Sequence, residues 1–241
     1  MKRLNRTRPS MDTWRAVLLT VSALFAGCGD QTTPSLPASP LPPSPSSPPP
    51  ASWMPSPPDL SLFDLPICSM GGLVSTRSIK PAKAVDYYEL QSKSYDCSHA
   101  YDKRVHESSG LKCGTAVDID KCNDVFYMLK SKDGDGFRHP YYLSPWYYFA
   151  FTAGDTVAVE SNLLQFLGTI DTPQEALLVA WGQNYDIACG NLKLGAVRKV
   201  TEGYEVIATW YDDKAYQNYR GLLLVTPAGD LQKLWSEVFK P

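Results

Sequence analysis

Hydrophobic and polar positions divide the chain into three stretches. A mostly apolar run, Ala16 to Phe25, follows five basic residues, Lys2, Arg3, Arg6, Arg8 and Arg15. From Gln31 to Asp59 large apolar side chains are few, and Pro, Ser, Ala and Thr dominate. From about Leu60 to Pro241 apolar residues recur at strand and helix periods, so this stretch can build a core.

Within that third stretch, Val125 to Leu129 predicts a strand. Lys132-Asp133-Gly134-Asp135-Gly136 is dense in turn residues, and Phe137 onward is again apolar and aromatic, which together read as a hairpin. Trp146 to Phe151 and Thr156 to Val159 predict two strands around a turn at Gly154-Asp155. Ser161 to Leu167 reads as a short helix ended by Gly168. Thr172-Pro173-Gln174-Glu175 is a helix start, with a capping threonine, proline at the first helical position and a glutamate able to reach back. Leu177, Leu178, Trp181 and Tyr185 then form one apolar stripe, and Gly190 is placed to help end the segment. Four closing strands, Ala196–Val200, Tyr204–Tyr211, Tyr219–Thr226 and Leu231–Phe239, have short connections and so neighbour one another antiparallel. The expectation is one α+β domain over residues 60–241. It is an antiparallel β-sheet meander with one or two packed helices, the helical stripe covering one sheet face.

The first two stretches carry an address. The apolar run is too short to span a bilayer and has the layout of a secretory signal. It closes on Leu24-Phe25-Ala26-Gly27-Cys28. This segment resembles the lipobox of bacterial lipoproteins. The resemblance implies cleavage before Cys28, diacylation of that cysteine, and membrane attachment through its acyl chains. Residues 1–27 are then a signal peptide, with Met11 a second start codon position, and 28–59 a lipid-anchored linker. Gly29 follows the cysteine and Asp30 comes one place later, which under the sorting rule of enteric members implies the outer membrane. The linker is too poor in apolar surface to offset the entropy of ordering and is expected to be a disordered proline-rich tether. At about 3.1 Å per residue in polyproline II, it reaches roughly 80 to 90 Å. Pro34/Pro37 and Pro37/Pro40 have the spacing of groove-binding motifs, but such matches arise by composition alone here.

Charge and cysteine usage narrow the class. Without residues 1–27 the chain keeps 18 basic and 24 acidic residues, a net charge of −6. A mildly acidic chain without a basic stripe argues against nucleic acid as partner. Besides Cys28, five cysteines remain: Cys68, Cys97, Cys113, Cys122 and Cys189. In an exported protein their default use is disulfides, at most two bridges with one thiol left over, and the pairing is open among fifteen arrangements. A bridge within Cys97, Cys113 and Cys122 would close a short loop and contribute about 2–4 kcal/mol. The stretch Tyr95 to Asp124 around them is polar and reads as loop-rich.

Chemical constellations are weak. His99 and His106 with the clustered cysteines have the residue types for zinc but not the spacing. Asp133 and Asp135 resemble part of a calcium loop whose twelfth position is Tyr142 rather than glutamate. Asp118 and Asp120 would share a strand face as surface charges. A Cys97/His139 nucleophilic pair has only the right residue types, and neither a Gly-x-Ser-x-Gly elbow nor His-Glu-x-x-His occurs. No catalytic residue, metal or cofactor is assigned.

The aromatic run is the stronger signal: Tyr141, Tyr142, Trp146, Tyr147, Tyr148, Phe149 and Phe151. In a strand Trp146 and Tyr148 face one side, and Tyr147, Phe149 and Phe151 the other. One side fills a core. The other is either covered by protein or left exposed, and Trp146 and Tyr148 with Tyr141 and Tyr142 are then a candidate surface for a sugar or a protein. The leading expectation is a lipid-anchored envelope lipoprotein with a non-enzymatic protein- or glycan-binding domain. The alternatives are an envelope hydrolase with a scattered active site, and a cell-to-cell transferred effector or protective lipoprotein.

Overall fold

Helix α3 (Pro173–Gly182) organises the molecule, and its start follows from four residues. Thr172 Oγ1 accepts from Glu175 N at 3.2 Å, and the Glu175 carboxylate accepts from Thr172 N at 3.1 Å. Pro173 brings the fixed φ of a first helical residue and no N–H that needs a partner. The computed structural model describes residues 56–94, 102–129, 136–138 and 146–240, and in it every residue from Gln174 to Trp181 is buried. A helix buried on all sides needs cover on all sides, and two sheets with a short helix provide it. The single stripe expected to run on to Tyr185 and Gly190 is therefore corrected. The helix stops at Gly182, and the Arg138 guanidinium donates to the carbonyls of Trp181 (2.7 Å) and Tyr185 (3.1 Å) just at and beyond its end. The Trp181 carbonyl also accepts from Asn184 N at 3.1 Å, and a cation there meets the negative end of the helix dipole.

The first sheet contains β1 (Tyr87–Ser94), β2 (Asp102–Gly110), β3 (Trp146–Ala153) and β4 (Thr156–Glu160), in the order β2-β1-β3-β4. The second contains β5 (Ala196–Val200), β6 (Gly203–Asp212), β7 (Gln217–Val225) and β8 (Leu231–Val238), in sequence order. All six strand pairs are antiparallel. The fold is α+β, as expected, with two four-stranded sheets where one meander was expected. The four closing strands and the pair around Gly154 lie where the apolar pattern placed them.

Between the sheets run α3 and the short α2 (Leu163–Leu167). Asn162 caps α2, accepting from Gln165 N at 3.1 Å, and Gly168 ends it at φ 73°, a left-handed conformation that glycine adopts without a Cβ penalty. Phe166 of α2 stacks on Phe149 of β3 at 4.0 Å, and Trp181 of α3 meets Tyr147 of β3 edge-on at 4.6 Å. One apolar cluster thus runs from Tyr88, Leu90 and Phe149, through Leu167, Leu177 and Leu178, to Val206, Leu223 and Val225. Each of its fully buried large side chains contributes about 1.5–3 kcal/mol.

The outward faces have their own cover. Helix α1 (Ile119–Met128) lies over the first sheet, with the Phe126 ring 5.7 Å from Tyr87. A 3-10 turn at Leu60–Leu62 leads into Phe63, which packs with Ala196, Ile207 and Leu222 on the second sheet. Asp64 continues that strap by pairing with Val197.

Two expectations fail in the region before β3. Val125 to Leu129 is helical rather than extended. Asp118 caps α1 by accepting from Lys121 N at 3.0 Å, and Cys122 and Phe126, four residues apart, bury one face. Packing and a disulfide there override the strand preference of Val-Phe-Tyr. Asp118 and Asp120 accordingly lie at a helix start, not on a strand face. The stretch read as loop-rich contains β2, whose alternation is polar and gave no hydrophobic period. Of the proposed turn, residues 132–135 lie outside the described residues.

Candidate functional site

Both disulfides that cysteine arithmetic allows are present, Cys68–Cys189 and Cys113–Cys122. They leave Cys97, which lies outside the described residues, as do Cys28, His99, His139, Tyr141 and Tyr142. Pairing removes Cys113 and Cys122 from the weighed zinc set. Among the described residues no three His, Cys, Asp or Glu side chains are grouped to hold a metal. Nor is any helix there long and apolar enough to cross a membrane.

The first sheet carries most of the buried polar chemistry. A bulge in β2 positions part of it. Glu107 pairs with Leu90 and Val105 with Gln91, so His106 is the extra residue between them. A bulge re-aims side chains, and here it turns both His106 and Glu107 toward the helix side of the sheet. His106 Nε2 lies 2.7 Å from Ser92 Oγ, and its ring is 5.3 Å from that of Tyr147. Burial, and then Arg104, hold the imidazole below its ordinary pKa. A neutral imidazole against a serine hydroxyl is the pairing by which a base activates a nucleophile. Ser92, however, is only 4% exposed, so a substrate would need the surroundings to open.

Glu107 has a different role. Its carboxylate accepts from Ser75 Oγ (2.9 and 3.0 Å), Thr76 N (2.5 Å) and Thr76 Oγ1 (3.1 Å), and it lies 3.1 Å from Arg77 Nε. Tyr88 OH donates to Thr76 O at 2.6 Å, and Gln174 Nε2 donates to Ser75 O at 2.8 Å. These bonds fasten the segment before β1 to the edge strand and the central helix. A carboxylate so fully occupied is a clasp rather than an acid or base.

On the opposite face of the first sheet, Glu89 accepts from Tyr87 OH at 2.6 Å and from Gln91 Nε2. Lys103 and Lys112 stand 4.0 and 3.8 Å from its carboxylate. Lys112 Nζ lies 4.3 Å from the centre of the Phe126 ring. Burial, and then Glu89, push the Tyr87 phenol up to about 12. Burial holds Lys103 below its ordinary value although Glu89 opposes the shift. This network fixes α1 to the sheet.

Tyr148 lies on that same face and is 3% exposed, which corrects the expectation that it lines a binding surface. Strand β3 is central in the sheet and covered on both faces, so one side of its aromatic run fills the core and the other lies under cover. Trp146 is half-buried. The exposed apolar side chains of this region belong instead to α1 and its approach, with Val117 91%, Tyr127 85%, Leu111 72% and Met128 68% exposed. Reading Val125 to Leu129 as a strand hid them. Comparison with protein-family models, curated proteins and solved structures finds no match.

Proposed function

We propose that the protein is a lipid-anchored lipoprotein of the bacterial envelope, a non-enzymatic domain held on a proline-rich tether to capture a protein or glycan. The disulfides carry this reading. Bonds such as Cys68–Cys189 and Cys113–Cys122 persist in oxidising compartments and are rare where thiols are kept reduced. They occur in the same chain as the lipobox-like segment ending at Cys28, and that pairing supports export followed by lipidation. Gly29 after the cysteine favours the outer membrane. Replacing Cys28 by Ala tests the anchor: the variant leaves the membrane pellet, while the parent stays in it until detergent is added. A variant that still pellets with membranes contradicts the reading.

The Ser92–His106 contact favours a second reading, an envelope hydrolase. That reading requires hydrolysis of an ester, amide or glycosidic substrate by the parent and its loss in Ser92→Ala with the fold intact. A parent without such activity across those substrate classes excludes it.

A further inference from the structure

Three aromatic side chains, Tyr185, Trp210 and Tyr219, meet at the end of the second sheet beside the β6–β7 turn. Trp210 and Tyr219 are directly opposite in the β6–β7 pair, and their rings are nearly parallel, 12° apart with centroids at 5.6 Å. Tyr185 meets Trp210 edge-on at 5.4 Å. All three are half-buried. The indole reaches across β7 over Gly221, where a Cβ would stand 2.8 Å from Trp210 Cη2, so glycine leaves room for the ring. Tyr216 lies in the adjoining β6–β7 turn. It is 80% exposed and held at φ 52°, a conformation disfavoured for a side chain of its size. The turn is fixed by Asp212, whose carboxylate accepts from Lys214 N at 2.9 Å and Ala215 N at 3.1 Å. Burial does not reward this placement of Tyr216, and such local strain concentrates at functional sites.

Polar groups rim the rings. Strand register puts Gln217 and Ser236 on the face that carries Trp210 and Tyr219, and Tyr219 OH donates to Gln217 Oε1 at 3.3 Å. The exposed Lys233 places Nζ 4.1 Å from the Trp210 ring centre. Aromatic faces bounded by amide, hydroxyl and ammonium groups suit a pyranose ring: its C–H face lies on the rings and its hydroxyls meet the rim. Val238, 53% exposed and opposite Tyr219, is an apolar side chain on this face, and the polar groups around it outnumber it among the described residues.

We propose that Trp210, Tyr219, Tyr185 and Tyr216 form a sugar-binding platform for a cell-wall polysaccharide, with Lys233 leaving the indole face to hydrogen-bond the bound sugar. This rests on the envelope reading above and names the ligand class for it. The test is co-sedimentation of the full mature lipoprotein, in detergent micelles, with purified peptidoglycan sacculi. The parent pellets with sacculi, soluble N-acetylglucosamine oligomers compete it off, and Trp210→Ala weakens binding at least tenfold. Tyr216→Ala, at an exposed turn tip, weakens binding without risk to the core and guards against misfolding of the first variant. No sedimentation, equal binding by Tyr216→Ala and a folded Trp210→Ala, or binding indifferent to the oligomers overturns the platform. If Cys28→Ala leaves the membrane while sacculi do not bind, the sugar platform alone falls and the anchor stands.

Discussion

The two sheets share helices α2 and α3 as a common filling, yet they are held by different forces. In the second sheet the inward positions are Tyr204, Val206, Ala208, Leu223 and Val225, all buried, and its ion pairs, Arg198–Glu205 and Arg220–Glu237, are partly exposed. In the first sheet Glu89, Gln91, Ser92, Glu107 and Thr152 are buried within the strands. A sheet fastened by apolar burial needs only the right pattern. A sheet fastened by buried polar groups needs each partner in place, because an unmet donor or acceptor costs more than a satisfied one contributes. The first sheet therefore depends on elements outside itself: the Ser75–Arg77 turn, the Cys113–Cys122 bridge and α1.

Substitutions should separate these two modes. Leu223→Ala, at a fully buried inward position of β7, should cost about 2–5 kcal/mol as the whole molecule loosens, measured by urea unfolding. A double Cys113→Ser/Cys122→Ser variant should lose about 2–3 kcal/mol by the loop-entropy account. Hydrogen exchange should show that loss confined to α1 and the face of the first sheet beneath it. A uniform loss would break the contrast. Glu107→Gln should cost about 1–3 kcal/mol, because donors at Ser75 and Thr76 then face an amide and its N–H groups. Its effect should appear in β1 and β2 and leave protection in β6 and β7 unchanged.

Acid should produce the smallest effect, and in the first sheet. Folding holds the His106 imidazole below its unfolded value, so the unfolded chain binds the proton more readily. The contribution of the neutral ring is complete above the ordinary histidine range and is lost as pH falls through the lower folded value. Protection in β1 and β2, corrected for the intrinsic exchange rate at each pH, should fall from pH 7.5 to 5 more than in β6 and β7, and His106→Asn should flatten that difference.

The same contrast explains what could be read from the sequence. The strands of the second sheet alternate in apolar residues at turn-bounded intervals, and Thr172-Pro173-Gln174-Glu175 carries its own capping chemistry, so these elements were legible. Strand β2 presents Lys103, Arg104, His106, Glu107, Ser108 and Ser109, where no hydrophobic period marks the pairing. Its bulge, which creates the His106–Ser92 contact, depends on register and leaves no local signature. Helix α1 was misread because its identity comes from Cys122 and Phe126 packing in space. The burial of Tyr148 was likewise hidden, since a fully covered central strand and a one-sided aromatic strand look alike in sequence. The aromatic platform left only a weak trace, Trp210, Tyr216 and Tyr219 around a polar turn.

Export, anchoring at Cys28 and bracing by two disulfides together make the proposal that most needs a direct test. The direct measurement is the intact mass of the protein from its native envelope, with thiols alkylated before and after reduction. The predicted result is a chain beginning at Cys28 and carrying acyl chains, with one thiol, Cys97, alkylated before reduction and five after it. A chain without acyl groups, or with Cys68, Cys113, Cys122 and Cys189 all free before reduction, would contradict it.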